Sequence, residues 1–207
     1  PEALAAWLRK GELDAQQLYC RPFDAQRFQA ALVEIRKLTV ASPAVFVSRA
    51  TELCADSGVA LVLVPQLKQT KVSGATRWII SEKALLQLSL RYKEDAQFWF
   101  SFFHEAGHIL LHGKKDIFIE EENTDDPERS EQKEREANQF AADFLIDPTA
   151  YRNFVATRKK FSKVDICQFA ADQQIAPGIV VGRLQHDKIL PFSHCNDLKV
   201  KITWAER

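Results

Sequence analysis

Ser101-Phe102-Phe103-His104-Glu105-Ala106-Gly107-His108-Ile109-Leu110-Leu111-His112 is the stretch from which the rest of the chain is read. Residues four apart on an α-helix share a face, so His104 and His108 can turn both imidazoles to one point. Glu105 follows the first His directly and is placed to reach a water at that point rather than the point itself. This is the division of labour a hydrolytic metal centre needs, with neutral imidazoles holding zinc and a free carboxylate taking the water's proton. Phe98, Phe102, Ile109 and Leu110 make the surroundings apolar. Two histidines and a glutamate on a buried helix are costly unless they share a partner. The plainer alternative is a pair of satisfied core histidines beside a surface glutamate.

A catalytic zinc site takes three protein ligands and leaves a fourth position open. His112 extends the spacing, but three ligands over eight residues of one straight helix would splay by about 12 Å. It is therefore read as a group behind the ligands or at the surface. A carboxylate from a neighbouring helix is the better third ligand. Asp126-Pro127 opens a helix that runs through Ile146, before Asp147-Pro148 closes it, and this helix carries Glu134 and Glu136. The two glutamates point about 160° apart, so they cannot serve one site. The apolar stripe is Ala137, Phe140, Ala141, Phe144 and Leu145; Glu134 lies about 50° from its centre and Glu136 about 110°. Glu134 is thus the expected ligand, and Glu136 is left to solvent or a neighbouring Lys or Arg. Asn138, one turn beyond Glu134, is placed to hydrogen-bond a ligating His.

The chain has 207 residues, enough for a real core in one domain, and 28 basic residues balance 28 acidic ones. That neutrality gives no reason to expect nucleic acid or an anionic membrane as partner. Four cysteines, Cys20, Cys54, Cys167 and Cys195, are widely separated and form no CxxC pair, which fits reduced thiols in the cytoplasm. No apolar run approaches about 18 residues and no signal peptide opens the chain. Methionine is absent and the first residue is Pro1, so something is expected to have preceded it.

In chain order, residues 1–57 read as helical. A short amphipathic helix from Ala3 to Lys10 is expected to stop at Gly11. Asp24 caps a helix with Phe28, Leu32, Ile35 and Leu38 on one stripe, and Ser42-Pro43 opens a third helix that Gly58 ends. Residues 59–64 are a buried strand, residues 77–80 a second, and residues 85–90 a third strand or a short helix. Ser73, Gly74, Ala75, Thr76, Arg77 and Trp78 are the candidate edge strand for an extended substrate; an ordinary hairpin loop is the alternative. Asp95 is expected to cap the His-Glu helix, which ends near Gly113. Residues 117–119 read as a short strand, and the acidic residues 120–126 as a solvated loop lacking calcium-loop spacing. Residues 162–173 and 177–185 make a helix pair faintly like a helix-turn-helix, without a basic recognition face. Residues 198–204 alternate like an edge strand.

The motifs His104-Glu105-Ala106-Gly107-His108-Ile109-Leu110-Leu111-His112 and Glu134-x-x-Ala137-Asn138-x-Phe140-Ala141-x-x-Phe144-Leu145-Ile146-x-Pro148 resemble the ImmA/IrrE family of metallo-endopeptidases. The likeness covers at least residues 59–150. Ser73-Gly74-Ala75-Thr76-Arg77-Trp78 and Val181-Gly182-Arg183-Leu184-Gln185-His186 also look like members in which an antitoxin-type helix-turn-helix domain precedes the protease. Phe144 and Ile146 stand where Leu and Met are commoner, a difference of packing.

The resemblance implies an α+β zincin-like fold, with residues 1–40 a helical connector and residues 41–207 the metallopeptidase domain with its C-terminal helical pair and tail. It implies a cytoplasmic zinc endopeptidase of the gluzincin type, one ion per site, with manganese as the alternative metal. Its Glu-x-x-x-Asn/Asp pattern points again to Glu134 and Asn138. The implied substrate is a helix-turn-helix transcriptional repressor, cut to relieve repression of phage, mobile-element or stress-response genes. Glu105 is the expected general base and later proton donor; His186, Arg183 and Tyr151 are candidates to stabilise the oxyanion. The rival is a non-proteolytic zinc-binding sensor or interaction domain of a repressor or antitoxin.

Overall fold

The computed structural model describes residues 2–67, 70, 72–89, 94–112, 118–119 and 127–202. The described strands form one sheet in the order β1-β3-β2-β4, comprising β1 (Val59–Leu63), β2 (Gly74–Ile80), β3 (Lys83–Leu88) and β4 (Phe118–Ile119). β1 runs parallel to β3, from Val59 opposite Ala84 to Leu63 opposite Leu88. β2 and β3 are an antiparallel hairpin, with a bulge between Trp78 and Ile80. Residues 85–88 are therefore strand, and β2 starts at Gly74 rather than Arg77.

β2 is not an edge strand along its whole length. Ala75 pairs with Ile119 and Thr76 with Phe118, so β4 occupies the flank expected to be open, and Ser73 lies just outside the strand. A two-residue strand distant in sequence carries too little pattern to reveal this pairing beforehand.

Alternation along the strands separates two apolar layers. Val59, Leu61, Ala84, Leu86 and Leu88 face one core, built with α2 (Ala25–Lys37), α3 (Pro43–Asp56), α4 (Asp95–Leu111), α5 (Pro127–Leu145), α6 (Pro148–Ala156), α7 (Lys163–Gln173) and α8 (Pro177–His186). Ala60, Val62, Val64, Ala75 and Leu85 face a second, closed by Trp7 and Ala15 of α1 (Glu2–Gln17). Covering on both faces explains why β1 reads as an unbroken apolar run.

Gly11 does not end α1. It lies mid-helix and buried, where an added Cβ would come within 1.8 Å of Gln87 Oε1, so the missing side chain lets the helix lie flat on the sheet. Trp7 donates its indole N–H to the Val64 carbonyl at 3.1 Å, and Gln87 Nε2 donates to the Trp7 carbonyl at 2.7 Å. Within residues 2–40, Trp7, Phe28, Leu32 and Ile35 are buried in these layers.

The Asp24 cap is present, its Oδ1 accepting from Arg27 N at 2.8 Å, and Gly58 ends α3's exit at φ 86°. Arg36 of α2 donates to the Phe144 and Leu145 carbonyls, satisfying the end of α5. α8 buries Gly178, Ile179, Val180, Val181 and Leu184, so the second helix of the pair is a core element. The tail is a 3₁₀ turn over Asn196–Leu198 and an isolated bridge from Lys201 to Glu94, not a regular strand; residues 203–204 lie outside the described residues, as do Gly113 and the acidic loop 120–126. The four cysteines are free thiols, and among the described residues no helix is long and apolar enough to cross a membrane.

Asp95 also departs from expectation. Glu94, held extended by its bridge to Lys201, is the N-cap of α4, and Asp95 is the first helical residue. The residue is only 4% exposed, and its carboxylate lies against α8, where a Cβ on Gly178 would fall 2.6 Å from Oδ1. Ala96 N donates to Oδ1 at 2.8 Å, while Oδ2 is buried without a hydrogen bond. Burial pushes this carboxyl up from 3.8 to about 6, against the pull of the backbone N–H groups. Because the folded value exceeds the unfolded one, the carboxyl carries no penalty below about 3.8, and the penalty is complete once pH passes about 6. There it is on the order of 3 kcal/mol. Asp95→Asn should therefore raise Tm by several degrees at about pH 7.5 and much less at about pH 4. Equal gains in thermal melts at both pH values would show that the carboxylate is not desolvated.

Candidate metal centre

α4 is laid across the sheet by Phe98, Trp99, Phe102 and Phe103, all buried, with Trp99 stacked obliquely on Phe46 of α3 at 4.8 Å. That packing puts the polar part of the helix inside as well. His104, Glu105 and His108 are 5%, 2% and 2% exposed, far below what charged or polar groups tolerate without partners.

α5 crosses the same stretch at close range. A Cβ on Gly107 would meet Phe140 Cδ1 at 3.0 Å and the Cα of Ala137 at 3.3 Å, so glycine opposite alanine sets the approach. Phe103 stacks on Phe144 at 5.0 Å beside it. Glu134, one turn before Asn138, then reaches both imidazoles. Its Oε2 is 3.2 Å from His104 Nε2, its Oε1 3.2 Å from His108 Nε2, and the two Nε2 atoms are 3.0 Å apart.

His104, His108 and Glu134 are the group among the described residues whose donor atoms could hold a metal ion. Bonds of about 2.0–2.2 Å at tetrahedral angles place donor atoms about 3.3–3.5 Å apart, so this triangle fits zinc after a slight outward shift. Two imidazoles and one carboxylate are also the donor set of a catalytic rather than a structural zinc site. The protonation states suit it. Burial lowers the His108 pKa and favours the neutral ring. Burial alone would raise Glu134, but the two imidazoles beside it outweigh burial and hold the carboxyl at about 2. Glu134 is 34% exposed, so the triangle opens to solvent on its side.

Asn138 Oδ1 lies 3.0 Å from His104 Nδ1, where it accepts the ring N–H. Glu105 is not in the triangle. Its carboxylate packs against β2, where a Cβ on Gly74 would fall 2.4 Å from Oε1. Gly74 of the 73–78 stretch thus touches the motif, while Arg77 Nη1 lies 3.5 Å from Glu12 Oε2.

His186, Arg183 and Tyr151 are brought together, but around Asp187. Tyr151 Oη and Arg183 Nε each donate to Asp187 Oδ2 at 2.8 Å, and His186 Nδ1 is 3.0 Å from Oδ1. The structure joins these three side chains to one another through Asp187, and α8 meets α4 at Asp95 and Ala96 among its contacts.

Two features escaped the sequence reading. Gly107 sits inside the motif, and only the partner helix shows why it must be small. Glu136, assigned to solvent or a cation, instead lies 3.1 Å from His112 Nε2. The signal was a third histidine one turn past His108, which needs a partner of its own.

No curated protein matches this chain. A family model described as the IrrE N-terminal-like domain of peptidase family M78 matches residues 61–185, a span holding all of the sheet but the first two residues of β1, with α4, α5 and every residue of the triangle. With more than half of its length matched and the metallopeptidase donor set in place, the chain belongs to the IrrE N-terminal-like, M78 family of peptidases.

Proposed function

We propose that this chain is a zinc-dependent endopeptidase of the gluzincin type, acting in the cytoplasm on a helix-turn-helix transcriptional repressor. The observation that carries the reading is Glu105: a buried carboxylate beside, not within, a His-His-Glu triangle has no use in a purely structural site. The repressor and the compartment rest on the resemblance to ImmA/IrrE proteins, and the four free thiols agree with a reducing compartment.

His104 Nε2, His108 Nε2 and Glu134 would hold zinc, with manganese as the alternative. When bound, the ion supplies Lewis acidity, polarising the scissile carbonyl and lowering the pKa of an attacking water toward about 7. Glu105 takes the proton of that water as it attacks and delivers it to the departing amide nitrogen. Asn138 holds His104 in the tautomer that leaves Nε2 bare. The 73–78 stretch borders the site through Gly74, and an extended substrate would run along this margin, beyond the two residues that β4 covers.

Glu105→Gln should keep the fold and the metal and lose proteolysis by roughly 10²-fold or more. Incubation with zinc and a cognate repressor should give one discrete cut that this variant does not make; a cut made equally well by the variant would remove Glu105 from the mechanism. Gly74→Ala pushes a methyl group into the Glu105 carboxylate. Displacing a catalytic group by about 1 Å costs on the order of 10²-fold, so its kcat should fall with zinc content unchanged. The choice of third ligand is read from zinc content at stoichiometric loading: Glu134→Ala should lose most of the metal, and Glu136→Ala should retain it. The reverse pattern would exchange their roles.

A further inference from the structure

The two imidazoles of the triangle are backed by different groups. Behind His104 stands the neutral amide of Asn138. Behind His108 stands a chain of two side chains: His108 Nδ1 is 3.0 Å from His112 Nδ1, and His112 Nε2 is 3.1 Å from Glu136 Oε2. The directions follow from what each atom can do. A carboxylate only accepts, so the His112 proton sits on Nε2 and its Nδ1 presents a lone pair. His108 must then donate from Nδ1, which leaves its Nε2 bare toward Glu134.

The parts of this chain are held. The His112 side chain is 3% exposed, although the residue is the C-cap of α4 and its backbone is already extended. Its N–H still bonds the His108 carbonyl at 3.1 Å, which keeps the ring over the last turn. Gln132, one turn before Glu136 on α5, donates to Glu136 Oε1 at 2.6 Å and leaves Oε2 for the imidazole. Glu136 itself is 45% exposed, so the chain runs from a buried ligand to solvent.

We propose that His112 is a positioning residue for the metal centre, anchored by Glu136, which fixes His108 in its ligating tautomer and makes it the stronger donor of the two imidazoles. This rests on the reading of His104, His108 and Glu134 as a metal site. A carboxylate acting through an imidazole raises the basicity of the ligand it backs more than a neutral amide does. It also assigns the two glutamates of one helix opposite duties at one ion. Glu134 contacts the ion directly, and Glu136, pointing away from it, acts through two rings.

The test is zinc affinity, measured by competition with a chromophoric chelator, together with the visible absorption bands of the cobalt-substituted protein. His112→Phe keeps an aromatic ring and removes the acceptor; it should weaken zinc about 10- to 100-fold and shift the cobalt bands. Glu136→Leu should weaken zinc by a smaller factor, about 3- to 10-fold. Glu136→Gln retains an acceptor for His112 but loses the charge, and its affinity should fall between those of Glu136→Leu and the parent. Because Glu136 is partly exposed, its two variants carry the test even if His112→Phe does not fold. Parent-like affinity and unchanged cobalt bands in both His112→Phe and Glu136→Leu would overturn the proposal and leave the contact as a staple between α4 and α5. A parent chain that binds neither metal, or whose binding survives His108→Ala, would instead sink the metal reading itself and the proposal with it.

Discussion

Gly107 has no side chain and Ala137 has one methyl group, and between them α4 and α5 come close enough for a glutamate to touch two imidazoles. Glu134 is a short reach from its own backbone, so the separation of the helices decides whether it can contact His104 and His108 together. A larger residue at position 107 would have to push aside the Phe140 ring or the α5 backbone. The aromatic layer responds to the same constraint. Phe103 against Phe144 fills the space on one side of the crossing, and the polar triangle fills the other.

Burial makes the polar residues interdependent. His104 and His108 are almost wholly removed from water, and a buried polar group without a partner destabilises a fold. Here nearly every ring nitrogen has an assigned role: the Nε2 atoms converge on Glu134, and the Nδ1 atoms turn to Asn138 and His112. Such a network is rigid because each member orients the next. Glu105 packs against a glycine in the sheet, so β2 borders this carboxylate while α5 supplies the glutamate and asparagine that meet the imidazoles.

Much of this was legible in one dimension, and the residues show why. The His-Glu-x-x-His spacing is a local property of helix geometry, and α5 has a clear apolar stripe, so a helical wheel could separate Glu134 from Glu136. The helices that begin at Asp24 and Ser42-Pro43 announce themselves through local chemistry. What failed depended on contacts remote in sequence. Gly11 has the residue type of a helix stop, yet a sheet lying against it overrides that preference. Asp95 has the residue type of a cap, but the bridge from Glu94 to Lys201 moves the helix start by one residue and buries the carboxylate. The β4 pairing that covers Ala75 and Thr76, and the Glu136 contact with His112, join segments with no shared pattern to reveal them.

The cover that α1 provides has a consequence for what counts as a module in this family. The stretch recognised by the family model begins at residue 61, inside β1, and excludes α1, α2 and α3. Cut out along those margins, the sheet would lose Trp7 and Ala15 from one side and Phe28, Leu32, Ile35 and Phe46 from the other. Val62, Val72, Ala75 and Leu85 would then form a bare apolar plane, the kind of surface on which chains associate. The residues of the triangle lie inside the matched segment, while the cover that keeps the sheet's two faces from water comes in large part from helices outside it.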